Sequence, residues 1–302
     1  MESGVSMTVP FFTCGGMFYW FDRHNYAGWR IQENIWSHRC RLLDPYGIRR
    51  ADGTFEVCCE MMSYFLKAWE AEPLRKEAVV FIHGLFQSPS SFDKMIRAFR
   101  QEGYETVSFS YPMLRFDVLK SAKALNAMLN RRKDLEQINF VVHGAGGLIL
   151  RQAIALDPEW LSMNGRSVQI SVPNHGFIWA HKWQEKWLYK KLLGAMGTNI
   201  TPDFITDNVP PMKGEFAVIM GGKEDAKGIN PYLGADNDGL LRVDEARHAG
   251  AKEEFLILNV PHFYVQRSPK VIEMAVSFVR HGRLGKGKRI RKENNLMNVW
   301  DK

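Results

Sequence analysis

The chain has 302 residues, of which 45% are hydrophobic, so it is long and apolar enough to bury one sizeable core. Its four cysteines include an adjacent pair, a spacing that fits neither a disulfide framework nor a zinc site, so reduced thiols are expected. An apolar stretch at residues 7–21 follows Glu2 instead of a basic segment and ends at Asp22, which excludes a typical signal peptide or membrane span. These features predict a cytoplasmic protein.

The formal net charge of +7 comes mostly from the C-terminal end of the chain. Residues 280–302 hold eight cations and two anions, so the rest of the chain is nearly neutral. A basic tail interrupted by glycines is usually a solvated terminus, and weak contact with an anionic membrane is the alternative. Because no zinc-finger spacing or aromatic RNA-binding run accompanies the tail, no nucleic-acid partner is expected.

The first part of the chain, residues 1–73, is predicted to be an extension that packs on the main domain. It is rich in Trp, Tyr, Phe and Arg. One or two short strands are expected in residues 28–43 and a helix over residues 59–71, with turn signals at 44–47 and 51–53.

After Pro73, short apolar runs alternate with helical segments, a pattern typical of a mostly parallel sheet with helices on both faces. This α/β domain is predicted to span residues 74–281, with the basic tail at 282–302. Its predicted strands are residues 78–82, 105–111, 138–142, 168–172, 216–220 and 255–260. Its predicted helices are residues 91–102, 117–131, 148–156 and 270–279.

An insertion at about residues 177–213 interrupts this alternation. Trp179, Trp183 and Trp187 recur in it at helical spacing. Such an apolar face predicts either a small helical cap over the site or an ordinary core helix, and the sequence leaves both open.

The most informative segment is the glycine-rich turn at residues 143–147, His-Gly-Ala-Gly-Gly. An apolar strand enters this turn and a helix is expected to leave it. Acyl-transfer enzymes raise their nucleophile on such a strand-to-helix turn, between small residues that let the backbone bend. Gly144 stands at the nucleophile position, so the attacking hydroxyl is missing.

Over residues 78–281 the chain resembles the α/β-hydrolase family, of lipase and esterase type. In that family the turn reads Gly-x-Ser-x-Gly, with an apolar strand before it. Val142 stands where the first glycine is expected and Gly144 where the serine is expected. The resemblance implies an α/β-hydrolase fold and ester-cleaving chemistry, and the second departure removes the reacting atom.

The same resemblance implies that main-chain N–H groups form the oxyanion hole. Leu85 follows a His83-Gly84 pair at the end of the first strong strand, and its N–H would act together with that of Ala145. Main-chain donors of this kind remain when the serine is lost.

The acid and the base of the site are expected in the last third of the chain. By resemblance Asp238 is the acid, with Asp236 as a substitute, and the open alternative is a turn or a hard-cation site. His262 follows the strand predicted at residues 255–260 and is expected to be the base. The order of turn, acid and histidine is the one this family uses.

Three further histidines are assigned to the substrate site. His175 would contact substrate or stabilise its turn, and His143 is interpreted as packing support beside the glycine-rich turn. His83 belongs to the oxyanion segment. No metal and no other cofactor is expected.

Three functions remain open on the sequence. In the first, the chain is a carboxylic ester hydrolase by ancestry, with weak or absent acyl transfer because Gly144 replaces serine. In the second, it is a pseudoenzyme that binds an ester or acyl compound. In the third, His262 and Asp238 act as a general-base pair without a covalent intermediate. The expected partner is a small-molecule ester or acyl compound. A purely structural interaction protein would instead have an occluded pocket.

Overall fold

The architecture comes from a computed structural model, which describes residues 19–73, 75–112, 116–179 and 197–285. Two sheets are present in these ranges, a four-stranded sheet near the N-terminus and a six-stranded sheet after it. No helix in these ranges is long and apolar enough to cross a membrane.

The N-terminal sheet is an antiparallel meander of four strands, covered on one face by a helix. The strands are β1 (Trp20–Tyr26), β2 (Trp29–Asn34), β3 (Cys40–Leu43) and β4 (Arg49–Gly53), and the helix is α1 (Phe55–Ala68). Trp29, Ile31 and Leu42 of the strands pack against Cys58 and Met62 of the helix. This buried face holds the extension together.

The sequence underestimated this unit. β4 is polar and largely exposed, so it lacks the alternation of apolar residues that predicts a strand. It is a strand because it pairs with β3. The helix begins at Phe55, earlier than expected, because the Thr54 side chain accepts a hydrogen bond from the Val57 N–H and caps it.

The main sheet is entirely parallel, with strand order β10-β9-β8-β7-β5-β6. Its strands are β5 (Glu77–Ile82), β6 (Glu105–Phe109), β7 (Gln137–His143), β8 (Asn164–Ile170), β9 (Glu215–Gly222) and β10 (Glu253–Leu258). Each predicted strand of the main domain overlaps one of these six. The helices are α2 (Asp93–Gln101), α3 (Val118–Leu129), α4 (Gly146–Ala155), α5 (Pro202–Asn208), α6 (Val243–Ala246) and α7 (Pro269–His281).

Helices cover both faces of the main sheet, because its strands bury apolar side chains on both faces. On one face, Val80 and Val142 pack with residues of α3 and α4. On the other face, Val79 and Val141 pack with residues of α2 and α7. The predicted fold class, a mostly parallel sheet with helices on both faces, is confirmed.

The insertion predicted at residues 177–213 is described only at its two ends. Residues 180–196, with Trp183 and Trp187, lie outside the described residues, and α5 lies in the second half of the insertion. The cap and the domain boundaries therefore stay predictions.

Candidate functional site

The glycine-rich turn joins β7 to α4 at the carboxyl edge of the main sheet. Gly144 has a φ of +52°, a left-handed conformation that glycine adopts freely. Its N–H donates to the Ile170 carbonyl oxygen at 3.1 Å, which fixes the turn to the neighbouring strand. A Cβ on Gly146 would lie 2.4 Å from the Ile82 carbonyl oxygen, so only glycine lets α4 pack this close to β5.

Gly144 faces the predicted base directly. A Cβ in ideal geometry on Gly144 would lie 3.7 Å from His262 Nε2 and 3.4 Å from the Gly84 Cα. Both distances are ordinary van der Waals contacts, so there is room for a side chain. A hydroxyl carried on that Cβ would come within hydrogen-bond reach of the imidazole.

The predicted acid and the predicted base are in contact. His262 Nδ1 lies 2.8 Å from Asp238 Oδ2, and the His262 N–H donates to the Asp238 carbonyl oxygen, also at 2.8 Å. The other carboxylate oxygen, Oδ1, accepts the N–H groups of Leu240 (3.1 Å) and Leu241 (2.8 Å). With Asp238 as acceptor at Nδ1, the imidazole carries its proton there, and the Nε2 lone pair is directed towards Gly144.

The geometry separates the two candidate acids. Asp236 accepts the main-chain N–H groups of Lys223 and Glu224, each at 2.8 Å, so both its oxygens hold the loop after β9. Asp238 alone of the pair contacts His262. Among the residues that the structure describes, no group of three or more His, Cys, Asp or Glu is placed to hold a metal ion.

One predicted oxyanion donor, Ala145, lies in the turn, and the other, Leu85, follows the neighbouring strand β5. Ala145 is 4% exposed and directly precedes α4, whose positive end favours negative charge. Leu85 is half-buried and follows Gly84, which lies beside Gly144. Within the described ranges, neither N–H is used in a hydrogen bond to the protein. Their role as oxyanion donors stays a prediction.

His83 and His143 are buried beneath the site, and their observed contacts are with protein. His83 stacks on Tyr111 with ring centroids 4.6 Å apart, and burial lowers its pKa to about 4. His143 Nε2 lies 3.1 Å from the His262 carbonyl oxygen, and burial, followed by the neighbouring His262, holds its pKa well below the ordinary value. Both residues support the base and the oxyanion segment, and a contact with substrate stays a prediction.

His175 is exposed and belongs to the loop after β8. Its N–H donates to the Glu245 carbonyl oxygen at 3.0 Å, which ties this loop to α6. That contact fits the turn-stabilising alternative, and substrate contact by its imidazole stays a prediction.

Sequence reasoning missed Glu245, a buried carboxylate that links two loops. Its Oε1 accepts the Ile178 N–H at 2.7 Å and its Oε2 accepts the Arg242 N–H at 2.8 Å. Burial raises its pKa to about 7. A Glu three residues after Arg242 could have suggested a helix cap. The contact with Ile178, 67 residues earlier, has no local signal.

Sequence reasoning also missed Arg151 on α4. This buried guanidinium donates to the carbonyl oxygens of Asn174, Val209 and Pro210 at 2.8–3.0 Å. It thereby joins the loops that flank the insertion to the helix that follows the glycine-rich turn. These carbonyl partners are far from Arg151 in the sequence, so the residues around Arg151 do not predict them.

Comparison with known proteins places this geometry in a known fold. No family profile matches the chain, and no curated protein matches it. Among solved structures it is similar to the Bacillus licheniformis lipase BlEst2 in its mature form, with 20% identity and a TM-score of 0.53 over 67% of this chain and 88% of the lipase. The propeptide form of that lipase gives 19% identity and a TM-score of 0.54, over 72% of this chain and 52% of the other.

A metagenomic carboxyl esterase is similar at 15% identity and a TM-score of 0.50, over 63% of this chain and 65% of the esterase. The chain thus spans between about half and nine-tenths of these structures. Identities this low show the fold alone. The protein has the α/β-hydrolase fold, as the sequence predicted.

Proposed function

We propose that this chain descends from carboxylic ester hydrolases and, with glycine at position 144, binds a small ester or acyl compound without covalent acyl transfer. The observation that carries the proposal is the 3.7 Å between His262 Nε2 and the Cβ position of Gly144, together with the 2.8 Å contact of His262 with Asp238. The acid and base are arranged around an atom that the chain does not supply.

The roles of the remaining groups follow from the geometry. In a serine form, the hydroxyl at position 144 would lose its proton to His262 Nε2 and attack the ester carbonyl, while Asp238 stabilises the imidazolium. The N–H groups of Leu85 and Ala145 would hold the developing oxyanion. In the unmodified chain these two donors remain to bind a carbonyl oxygen, but no acyl-enzyme forms.

The ligand is proposed to be a small ester or acyl compound because the retained groups recognise a carbonyl. A cytoplasmic location and weak contact of residues 282–302 with an anionic membrane remain predictions. Residues 286–302 of that tail lie outside the described residues.

Gly144→Ser tests the proposal directly. The variant is expected to hydrolyse a short p-nitrophenyl ester and to be labelled covalently by a fluorophosphonate, because the new hydroxyl would meet His262. Gly144→Ala is the matched control, since it adds the Cβ without the hydroxyl and must stay unlabelled. A Gly144→Ser variant that is as stable as Gly144→Ala, yet shows neither turnover nor labelling, would overturn the proposal.

A second candidate function rests on the space beside His262 Nε2. The Cβ position of Gly144 has no neighbour closer than 3.4 Å, and in the described residues Nε2 has no hydrogen-bond partner in the protein. His262 would then act as a general base on a water molecule that attacks a bound ester, with Asp238 orienting the imidazole.

This second candidate makes a different prediction. The natural chain would already hydrolyse an activated ester without fluorophosphonate labelling, His262→Ala would abolish the activity, and Gly144→Ala would reduce it by filling the space. Hydrolysis that survives His262→Ala would reject the general-base function.

A further inference from the structure

The N-terminal sheet has a polar face that the proposed function does not use. One cross-strand row on this face runs from Asp22 on β1 to Gln32 on β2, Arg41 on β3 and Asp52 on β4. Although Asp52 lies opposite Arg41 in the register, its carboxylate pairs with Arg39 at 2.8 Å. The charge of Arg41 is therefore not neutralised by its cross-strand neighbour.

A buried hydrogen-bond chain orients Arg41. Asp22, which is fully buried, accepts the Gln32 Nε2 at 3.0 Å, so the amide oxygen of Gln32 must point the other way. That oxygen accepts Nε of Arg41 at 3.0 Å and Nη2 at 2.7 Å. Because Gln32 is only 3% exposed, the chain fixes one edge of the guanidinium from inside the protein.

The guanidinium is also fixed on its face. The Cζ of Arg41 lies 4.1 Å from the ring centroid of Trp20, a close cation–π contact. In the described part of the chain, Arg41 has no carboxylate within ion-pair distance, and its Nη1 donates to no protein acceptor. An arginine held on one edge and one face presents its remaining N–H groups as a preformed fork.

Among the described residues, two cations and one anion act on the charge of Arg41. Burial, followed by the nearby Arg30, lowers the pKa of Arg41 from its ordinary value; Asp22 opposes the shift and the exposed Arg49 adds to it. Asp22 is already paired with Arg30 at 2.8 Å. The face thus contains a half-buried, oriented cation whose stabilising anion is missing from the described residues.

We propose that Arg41, oriented by Gln32 and Trp20, binds the oxyanion of a small soluble ligand, either a phosphate or a carboxylate group. A guanidinium fork recognises the two oxygens of such a group in a bidentate manner. A small ligand fits better than a membrane surface, because Arg41 is half-buried and its neighbours Arg30 and Arg39 already have carboxylate partners. The inference is independent of what happens at Gly144.

Isothermal titration of the full chain with inorganic phosphate, and separately with acetate, tests the proposal at low ionic strength. Saturable binding at one site is expected for at least one of them, and Arg41→Met should weaken it by at least about tenfold, the cost of losing a charged hydrogen-bond pair. Arg41→Lys keeps the charge but loses the fork, so it should weaken binding as well. The control Arg39→Met changes an exposed arginine just before the same strand, and it should change the affinity by less than about twofold because the Arg39 charge is screened by solvent.

Three results would overturn the inference. The first is that the unmodified chain binds neither anion saturably. The second is that Arg39→Met weakens binding as much as Arg41→Met does. The third is that Arg41 is needed only for sedimentation with phosphatidic acid vesicles, while inorganic phosphate and acetate do not bind. The last result would assign the face to a membrane. The melting temperature of each variant shows whether it is folded, and Arg41→Lys provides the test should Arg41→Met unfold.

Discussion

The two sheets bury a carboxylate in contrasting ways. At the carboxyl edge of the main sheet, Asp238 is paired with a histidine and two main-chain N–H groups. On the N-terminal sheet, Asp22 is paired with the guanidinium of Arg30 at 2.8 Å. An imidazole can take up and release a proton near neutral pH, whereas a guanidinium cannot. The first pair is suited to proton transfer, and the second to architecture and to orienting other groups.

Glu245 is a third buried carboxylate of yet another kind. In the described residues its side chain accepts only main-chain N–H groups, those of Ile178 and Arg242. Burial outweighs these hydrogen bonds and the attraction of the nearby Arg242, so the pKa of Glu245 rises to about 7. Replacing each of the three carboxylates in turn should therefore change a different property: kcat for Asp238, the free energy of unfolding for Asp22, and the pH dependence of that free energy for Glu245.

The largest effect is expected at Asp238, measured in a Gly144→Ser background. Asp238→Asn should lower the kcat for a p-nitrophenyl ester by about 10⁴-fold, because the histidine loses its orienting acceptor and its stabilised imidazolium. Asp22→Asn in the same background should leave kcat within about threefold, since Asp22 does not contact the base. Equal losses in kcat for the two folded variants would contradict the distinction drawn between Asp238 and Asp22.

For the free energy of unfolding, Asp22→Asn should have a larger effect than Asp238→Asn. Asp22→Asn is expected to reduce the free energy of unfolding by about 4 kcal/mol, because it leaves Arg30 without its partner in a mostly buried position. The same change also weakens the acceptor for the Ser110 N–H, which lies 2.6 Å from Asp22 Oδ2 and connects the two sheets. Urea unfolding followed by tryptophan fluorescence gives the value, and a loss smaller than that of Asp238→Asn would contradict it.

Glu245 predicts a pH-dependent stability. Its folded pKa of about 7 lies above the ordinary value of 4.5, so the folded state binds the proton more tightly than the unfolded state does. The free energy of unfolding should therefore fall as the pH rises from about 4.5 to 7, by at most about 3 kcal/mol from this group.

Glu245→Gln should flatten that pH dependence, and Glu60→Gln, which removes an exposed carboxylate on α1, serves as the control. The measurement is urea unfolding at a series of pH values. An unchanged slope in Glu245→Gln would show that another group causes the dependence.

The smallest effect compares two glycines of the same turn. Gly146→Ala is expected to cost about 2 kcal/mol, because its Cβ would meet the Ile82 carbonyl oxygen at 2.4 Å and the backbone must shift. Gly144→Ala has room for its Cβ and should cost only about 1 kcal/mol for the left-handed backbone. Thermal unfolding of both variants gives the ranking, and the reverse order would argue against the proposed space at Gly144.

Much of the main domain could be predicted because its signals are local. A strand of a parallel sheet that is buried on both faces is mostly apolar, and β5 and β7 contain apolar runs at residues 78–82 and 140–142. The strand order could not be predicted in the same way, because it depends on crossovers that pack helices far apart in sequence. β4 was missed because its residues are polar and only its pairing partner makes it a strand.

The candidate site also has residues that the sequence predicted and residues that only the structure identified. The order of turn, acid and histidine along the chain pointed to Gly144, Asp238 and His262, and the structure places the latter two in contact. The choice of Asp238 over Asp236 required tertiary structure, because two carboxylates two residues apart have the same local pattern. Glu245 and Arg151 were missed since their partners are main-chain groups that carry no identity in the sequence.

By itself the sequence predicted the parallel α/β class from its local apolar pattern, and its resemblance to the α/β-hydrolase family pointed to Gly144, Asp238 and His262 as the nucleophile position, acid and base. Only the tertiary structure decided which way the Gly144 position faces, which carboxylate reaches His262 and how Arg41 is oriented. These are distances between segments far apart in the chain, and they arise when the packed core fixes the ends of the strands relative to one another.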